Sequence, residues 1–337
     1  MLRVAIIGCG GIAKVAHLGV YLKLEEESLA KLIAVSDSVP GRIKEKASIN
    51  IGTSEYTLPD TVHTYTDWRE MLRSETIDFV DICLPTFLHA EIAIEVMRMG
   101  FHVLSEKPMA ITDEDCSAML KVAEESTRQL MIGQCLRFSG EYAYLKEVIE
   151  QNRFGAVKSG VFRRLSSPPA GWGNWQRDAS KSGGCITDMH IHDIDMIRYL
   201  CGEPESVSCL TQDIYARKDI VHSTLKYPGF SMLAIGDWSL EGEPFLEDYI
   251  VAFENATVTY SSHTKTVTVY SRDGAVFQPK IDKNDCYYNE IKFFVELLLK
   301  NDENKLNPPE SAAKTVKLIN TLICSADAGG EYITFGQ

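Results

Sequence analysis

Three stretches of the chain carry side chains able to do chemistry. The first is Gly183-Gly184-Cys185-Ile186-Thr187-Asp188-Met189-His190-Ile191-His192-Asp193-Ile194-Asp195. On a continuous helix Asp188, His192 and Asp195 fall at i, i+4 and i+7 and share one face. A carboxylate beside an imidazole orients the ring and stabilises its charged form, so the pair is a poised proton acceptor near neutral pH. His190 points to the other side, which disfavours a metal site built from Asp188, His190 and His192. A buried histidine satisfied by a neighbouring acid is the other reading of the same pattern. The second stretch is Glu106-Lys107-Pro108, directly after the apolar run Phe101-His102-Val103-Leu104-Ser105. The proline keeps the lysine out of a helix, although a solvated surface turn has the same composition. The third is Gly8-Cys9-Gly10-Gly11-Ile12-Ala13, which follows Val4-Ala5-Ile6-Ile7 and reads G-x-G-x-x-A. Glycines there let a strand turn sharply into a helix and let the backbone approach a pyrophosphate seated on the helix N-terminus. Such a fingerprint also requires an acid at the end of the next strand, and Asp37 ends Leu32-Ile33-Ala34-Val35-Ser36. Its carboxylate suits the ribose hydroxyls of a dinucleotide and repels a phosphate.

The elements that must position these groups are legible as alternating patterns. In the first third, strands at 4–7, 32–36, 79–83 and 101–105 alternate with helices near 67–74 and 90–99, the β-α-β order of a doubly wound parallel sheet. Thr112 reads as a helix N-cap, with Asp113, Glu114 and Asp115 complementing the dipole. Ligands of such a sheet bind outside the carboxyl ends of its strands. Leu84-Pro85-Thr86-Phe87-Leu88-His89 and Glu106-Lys107-Pro108 both lie there. Further on come a helix at 141–151, a strand at 157–165, a Pro/Gly/Trp loop at 167–175, and a helix through Asp188 to Leu200. Period-two alternation then runs from Val207 to Phe277, punctuated by Tyr227-Pro228-Gly229 and Arg272-Asp273-Gly274, which implies antiparallel strands. Helices at 288–299 and 309–326 close the chain. The expected division is a dinucleotide-binding domain over 1–124 and a substrate-binding and oligomerisation domain over 125–337.

With 337 residues, 45% of them hydrophobic, the chain suits two globular domains. A formal net charge of -13 without a basic run excludes nucleic acid and an anionic membrane as natural partners. Nine cysteines without a C-x-x-C pair fit a reducing compartment, hence the cytoplasm. The apolar N-terminal run stops at Gly8, too soon for a signal peptide.

Taken together, the G-x-G-x-x-A turn, the Glu-Lys-Pro triplet and Gly-Gly-x-x-x-Asp-x-x-x-His-x-x-Asp resemble the glucose-fructose oxidoreductase, inositol dehydrogenase and MocA-like (Gfo/Idh/MocA) family. Gly133-Gln134-Cys135-Leu136-Arg137-Phe138 and Tyr288-Asn289-Glu290-Ile291 extend the likeness over nearly the whole chain. The resemblance implies an α/β fold with an N-terminal Rossmann domain and a C-terminal α/β domain bearing a large, mostly antiparallel sheet. It implies an NAD(P)-dependent oxidoreductase acting on a CH-OH carbon of a sugar-like or cyclitol-like substrate, with NAD expected as cofactor and NADP possible, assembled as a homodimer or homotetramer. Gly8, Gly10, Gly11, Ile12 and Ala13 then fall on the pyrophosphate turn and Asp37 on the ribose. Pro85, Thr86, His89, Glu106, Lys107 and Gln134 line the cofactor cleft, and Lys107, Asp188 and His192 take the catalytic positions, with no metal. His192 would accept the hydroxyl proton, Asp188 would hold the imidazole, and Lys107 would stabilise charge on the oxygen; the reverse division makes Lys107 the base. Two departures bear on substrate: His190 stands where many members have a small residue, and Cys135 where asparagine is common. Trp172, Trp175 and Arg177 are candidates to cover cofactor or substrate. A dinucleotide-binding regulator without turnover shares the fold, as do enzymes acting on dihydrodiols, imines or tetrapyrroles.

Overall fold

A computed structural model describes residues 1–337 except 168, 170, 243, 336 and 337. The chain divides into two compact units. The first comprises Met1–Cys135, Ala170–Trp175 and Asp285–Ala313. Its core is a six-stranded sheet of β1 (Leu2–Ile7), β2 (Ala30–Ser36), β3 (His63–Tyr65), β4 (Phe79–Ile82), β5 (His102–Glu106) and β6 (Leu130–Gly133). The strand order is β3-β2-β1-β4-β5-β6, and every pair is parallel. The run Val4–Ile7 is buried throughout, as a strand covered on both faces must be. Between the strands lie α1 (Leu18–Glu26), α2 (Trp68–Ser74), α3 (His89–Arg98) and α4 (Asp113–Ser126). The Thr112 side chain accepts from the Asp115 N–H at 3.1 Å, so the expected N-cap of α4 forms.

Three pieces of this unit lie beyond the expected boundary at residue 124: 125–135, 170–175 and 285–313. Strand β6 pairs with β5 from Val103 with Leu130 to Glu106 with Gly133. A late helix, Cys286–Lys300, also belongs here: Phe294 meets the Phe79 ring edge-on at 5.5 Å, and Phe79 packs on Tyr21 at 6.2 Å. All three rings are fully buried, and burying each contributes about 1.5–3 kcal/mol.

The second unit comprises Leu136–Pro169, Gln176–Asn284 and Lys314–Gln337. It is built on a nine-stranded sheet: β7 (Val157–Leu165), β8 (Ser206–Gln212), β9 (Ile220–Tyr227), β10 (Phe230–Asp237), β11 (Leu246–Phe253), β12 (Ala256–Ser261), β13 (Thr266–Ser271), β14 (Val276–Phe277) and β15 (Ile333–Thr334). Their order is β14-β13-β12-β11-β7-β10-β9-β8-β15, and only β7 with β10 is parallel. One face is lined by buried residues such as Phe162, Ala234, Tyr249 and Val258. Helix α5 (Gly140–Glu150) and the helices that follow the Gly183-Gly184 pair belong to this unit. The helix expected from Asp188 to Leu200 is two: α6 (Cys185–Asp188) and α7 (Ile191–Cys201). The final helices are α8 (Cys286–Lys300) and α9 (Pro309–Asp327). All nine cysteines are free thiols. No helix among the described residues is long and apolar enough to cross a membrane.

Candidate active site

In the first unit the turn after β1 is fixed by its own geometry. Gly8 has φ +96°, and a Cβ there would lie 2.5 Å from the Cys83 carbonyl oxygen, so only glycine fits. Gly10 faces open space, with nothing within 4 Å of a Cβ, whereas a Cβ on Gly11 would strike Ile49 at 2.4 Å. Ile12 and Ala13 open the helical stretch that follows. Asp37, at the end of β2, is drawn into this turn: its Oδ2 accepts from the Cys9 N–H at 3.0 Å and its Oδ1 from the Val39 N–H at 2.9 Å. Arg42 Nη1 lies 3.4 Å from Asp37 Oδ2, and the guanidinium stacks over the Trp172 ring at 4.3 Å. The glycine turn and the acid expected from the sequence are therefore one structure, with Arg42 and Trp172 added.

The neighbouring strand ends carry the other expected residues of this unit. Pro85 precedes a single helical turn at Thr86–Leu88, which leads into α3. His89 sits between the two strand-end loops, its ring nitrogens 2.7 Å from the Pro108 oxygen and 2.8 Å from the Leu84 oxygen. Burial pushes its pKa down. Thr86 Oγ1 and Gln134 Nε2 are both buried and make no hydrogen bond among the described residues. Buried polar atoms require partners. Here the carboxamide and hydroxyl groups of a dinucleotide would supply them, while the space over Gly10 admits a pyrophosphate. The residues present fit the cofactor.

Glu106 is 5% exposed, so Glu-Lys-Pro is not the solvated turn it could have been. Glu106 Oε2 accepts from the Lys107 backbone N–H at 3.1 Å, and Oε1 lies 3.0 Å from His17 Nε2. Burial opposes ionisation of Glu106, but the hydrogen bond and charge of His17 outweigh it and hold its pKa below the usual range. Lys107 is half-buried at the end of β5.

Sequence reasoning missed the cluster behind this carboxylate. His17 Nδ1 is 2.7 Å from Asp81 Oδ2, which also accepts from Tyr21 Oη at 2.8 Å, and Cys83 Sγ is 3.5 Å from the same ring nitrogen. Ligand atoms of His17, Asp81 and Cys83 lie within 4.8 Å of one another, but hydrogen bonds already join them. Glu290, fully buried on α8, leaves both carboxyl oxygens without a hydrogen bond among the described residues. Burial, with Cys135 and Glu106 nearby, pushes its pKa well above the ordinary carboxylate value. Ionisable residues inside otherwise apolar elements were the available signal.

In the second unit Gly184, at φ +78°, begins α6, and a Cβ there would lie 2.1 Å from the Arg217 oxygen. Asp188 ends α6 and His192 stands in the first turn of α7, both half-buried. The single helix face expected for Asp188, His192 and Asp195 is thus interrupted after Asp188, and Asp195 is engaged elsewhere. Its carboxylate is held by Arg137 at 2.8 and 2.6 Å and by the Thr315 hydroxyl at 2.7 Å, deep in the core. Asp193 is likewise turned inward, 3.2 Å from Arg164, and burial pushes its pKa up to about 6. His190 is fully buried with Nε2 2.9 Å from Ser223 Oγ, and a Cβ on Gly236 would meet its Nδ1 at 2.9 Å. The absence of a side chain at 236 makes room for the imidazole, so this departure is absorbed against the sheet. Cys135 is buried at the end of the first unit. Trp172 is 63% exposed, Trp175 is half-buried, and the Arg177 guanidinium lies 5.5 Å from the Tyr215 ring.

Residues 2–134 match the model of an oxidoreductase family described as an NAD-binding Rossmann fold, and residues 142–274 match the GFO/IDH/MocA C-terminal domain. The chain belongs to the Gfo/Idh/MocA oxidoreductase family. Among relatives of this Gfo/Idh/MocA chain, the inositol 2-dehydrogenase of Rhizobium meliloti (strain 1021) is 32% identical over 209 residues, covering 61% of this chain and 57% of the relative. The levoglucosan dehydrogenase of Pseudarthrobacter phenanthrenivorans is 34% identical over 148 residues, 43% of this chain and 38% of the relative. The matched stretches thus span about half the length of these curated relatives. The WlbA dehydrogenase of Bordetella pertussis, solved with NADH and UDP-GlcNAcA, superposes with a TM-score of 0.80 over 100% of this chain and 99% of its own, at 21% identity. That similarity concerns the fold.

Proposed function

We propose that this protein is an NAD-dependent dehydrogenase that moves a hydride between the nicotinamide and a secondary alcohol or ketone carbon of a sugar- or cyclitol-like substrate. The bound cofactor supplies the hydride acceptor. Gly8, Gly10, Gly11, Ile12 and Ala13 receive its pyrophosphate, Asp37 its ribose, and Thr86 and Gln134, beside Pro85 and His89, its buried polar groups. His192 takes the hydroxyl proton, Asp188 orients the imidazole, and the Lys107 ammonium stabilises the oxygen as negative charge develops. The second unit supplies substrate binding and assembly. The relatives named for inositol and levoglucosan support a polyol or sugar, and the nine free cysteines support a cytoplasmic setting.

The observation that carries this reading is Lys107, presented half-buried at a parallel-strand end by a buried carboxylate bound to its own main chain. A regulator that only binds dinucleotides needs no such lysine. The test is a panel of sugars and cyclitols with NAD and with NADP, followed by the absorbance of the reduced cofactor. Turnover of one member with NAD is expected. Tight cofactor binding with no turnover on any member would favour the regulator.

A further inference from the structure

His17 is 1% exposed and lies between two carboxylates. Its Nδ1 is 2.7 Å from Asp81 Oδ2 and its Nε2 is 3.0 Å from Glu106 Oε1. A carboxylate is an acceptor, so both ring nitrogens must carry a proton. The backbone builds this arrangement on purpose: the helix from Ala13 to His17 is wound wider than an α-helix, with the Leu18 N–H bonded to the Ala13 oxygen. Such widened turns are rare and cluster at functional sites. Here the widened turn directly follows the glycine turn and carries His17 to the end of β5. Burial alone lowers the pKa of His17, but Asp81 and Cys83 outweigh it and raise it well above the ordinary value. The ionisable groups around the ring are Tyr21 of α1, Asp81 and Cys83 of the β4 end, Glu106 of β5, and Tyr287 and Glu290 of α8. Burial pushes the Glu290 carboxyl up, and the hydrogen bonds of the two ring nitrogens go to Asp81 and Glu106.

We infer that His17 is a positioning residue: by holding the Glu106 carboxylate it fixes the main chain at Lys107, and so the place of the lysine in catalysis. The inference rests on Lys107 being catalytic, as proposed above. The chain of bonds is His17 Nε2–H to Glu106 Oε1, then Lys107 N–H to Glu106 Oε2. Without the imidazolium the buried carboxylate loses its charge partner, and Glu106 relaxes away from the strand end.

Two substitutions separate this role from simple core packing. The amide nitrogen of His17→Gln stands near the position of Nε2 and can still reach Glu106. That of His17→Asn stands near Nδ1 and reaches only Asp81. Amide hydrogen exchange at Lys107 in the full-length protein should be slow in the parent and in His17→Gln, and roughly tenfold or more faster in His17→Asn. The kcat should fall roughly ten- to hundredfold in His17→Asn, with NAD affinity little changed, and recover most of that loss in His17→Gln. Equal exchange at Lys107 in the two variants, or the reverse order, overturns the inference and leaves His17 a partner of Asp81 alone. The exchange measurement reads His17 without reference to turnover, while Lys107→Met reads the catalytic assignment of the lysine, so failure of one is not mistaken for failure of the other.

Discussion

At the scale of single residues, His190 and His192 stand two apart in sequence and differ in burial. Burial, then the Arg164 charge, pushes the pKa of His190 from 6.5 down to about 3. In the folded protein it stays neutral, while the unfolded chain takes up a proton as pH falls through about 6.5. The stability that His190 contributes is therefore present above that pH and is lost below it. At pH 5 the loss relative to pH 8 is about 2 kcal/mol, set by the unfolded pKa for any folded value well below 5. Urea unfolding at the two pH values should show this difference between the parent and His190→Gln, and equal pH dependence would mean that His190 is charged or exposed in the native state. His192, at the start of α7, is half-buried. His192→Ala and Lys107→Met should each lower kcat by roughly two to four powers of ten, with dinucleotide affinity nearly unchanged in His192→Ala. Steady-state kinetics on the substrate found in the panel decides it, and a variant that keeps near-normal turnover loses its assigned role.

At the scale of elements, the candidate site residues stand at strand ends and beside glycine turns, and these were the most legible parts of the sequence. The strand expected over 157–165 is the strand observed, because alternation against a one-sided core leaves a local period. Strand β6 and helix α8 were not assigned to the first unit. Their membership depends on Glu106 pairing with Gly133 and Phe79 meeting Phe294, contacts that leave no local pattern. The division of the motif helix after Asp188 was also illegible. No proline or glycine marks it, and the break falls between Asp188 on α6 and His192 and Asp195 on α7, so the one continuous helix face expected to carry all three does not form. Asp37 was legible as an acid with Arg42 close behind it in sequence, but that the two side chains meet was not. NAD should bind more tightly than NADP, and Asp37→Ala should narrow the gap, as fluorescence titration of both cofactors would show; tighter NADP binding in the parent defeats the preference. The glycines give a paired test. Gly184→Ala places a methyl against the Arg217 oxygen at a positive φ and should cost about 1–3 kcal/mol, seen as a lower Tm. Gly10→Ala meets no protein atom within 4 Å, so Tm should hold while dinucleotide affinity falls roughly tenfold or more. A drop in Tm with unchanged affinity would remove Gly10 from the pyrophosphate site.

At the scale of the whole molecule, the nine-stranded sheet leaves a second face to be explained. Across six strands one row runs Thr224, Leu233, Val161, Ile250, Thr259 and Thr268 in register. Leu233 and Ile250 are 43% and 46% exposed, and Leu210 and Tyr270, also on this face, are 58% and 49% exposed. Threonine tolerates water, so a monomer could keep the outer part of such a face. The aliphatic centre is different: branched side chains in adjacent strands form the continuous apolar patch that soluble monomers rarely leave open. A second copy of the chain covers it most economically, because two-fold pairing places the same patch on both partners and closes the assembly. The expected state is a homodimer, or a tetramer formed from such dimers. Light scattering after size-exclusion chromatography at micromolar concentration should give a mass of two or four chains. Leu233→Arg with Ile250→Asp should shift it toward one chain while preserving NAD binding, since both residues belong to the second unit and neither lies in its buried core. A parent protein that already runs at the mass of one chain would refute assembly altogether. An oligomer unmoved by the paired substitutions would place the interface on another surface.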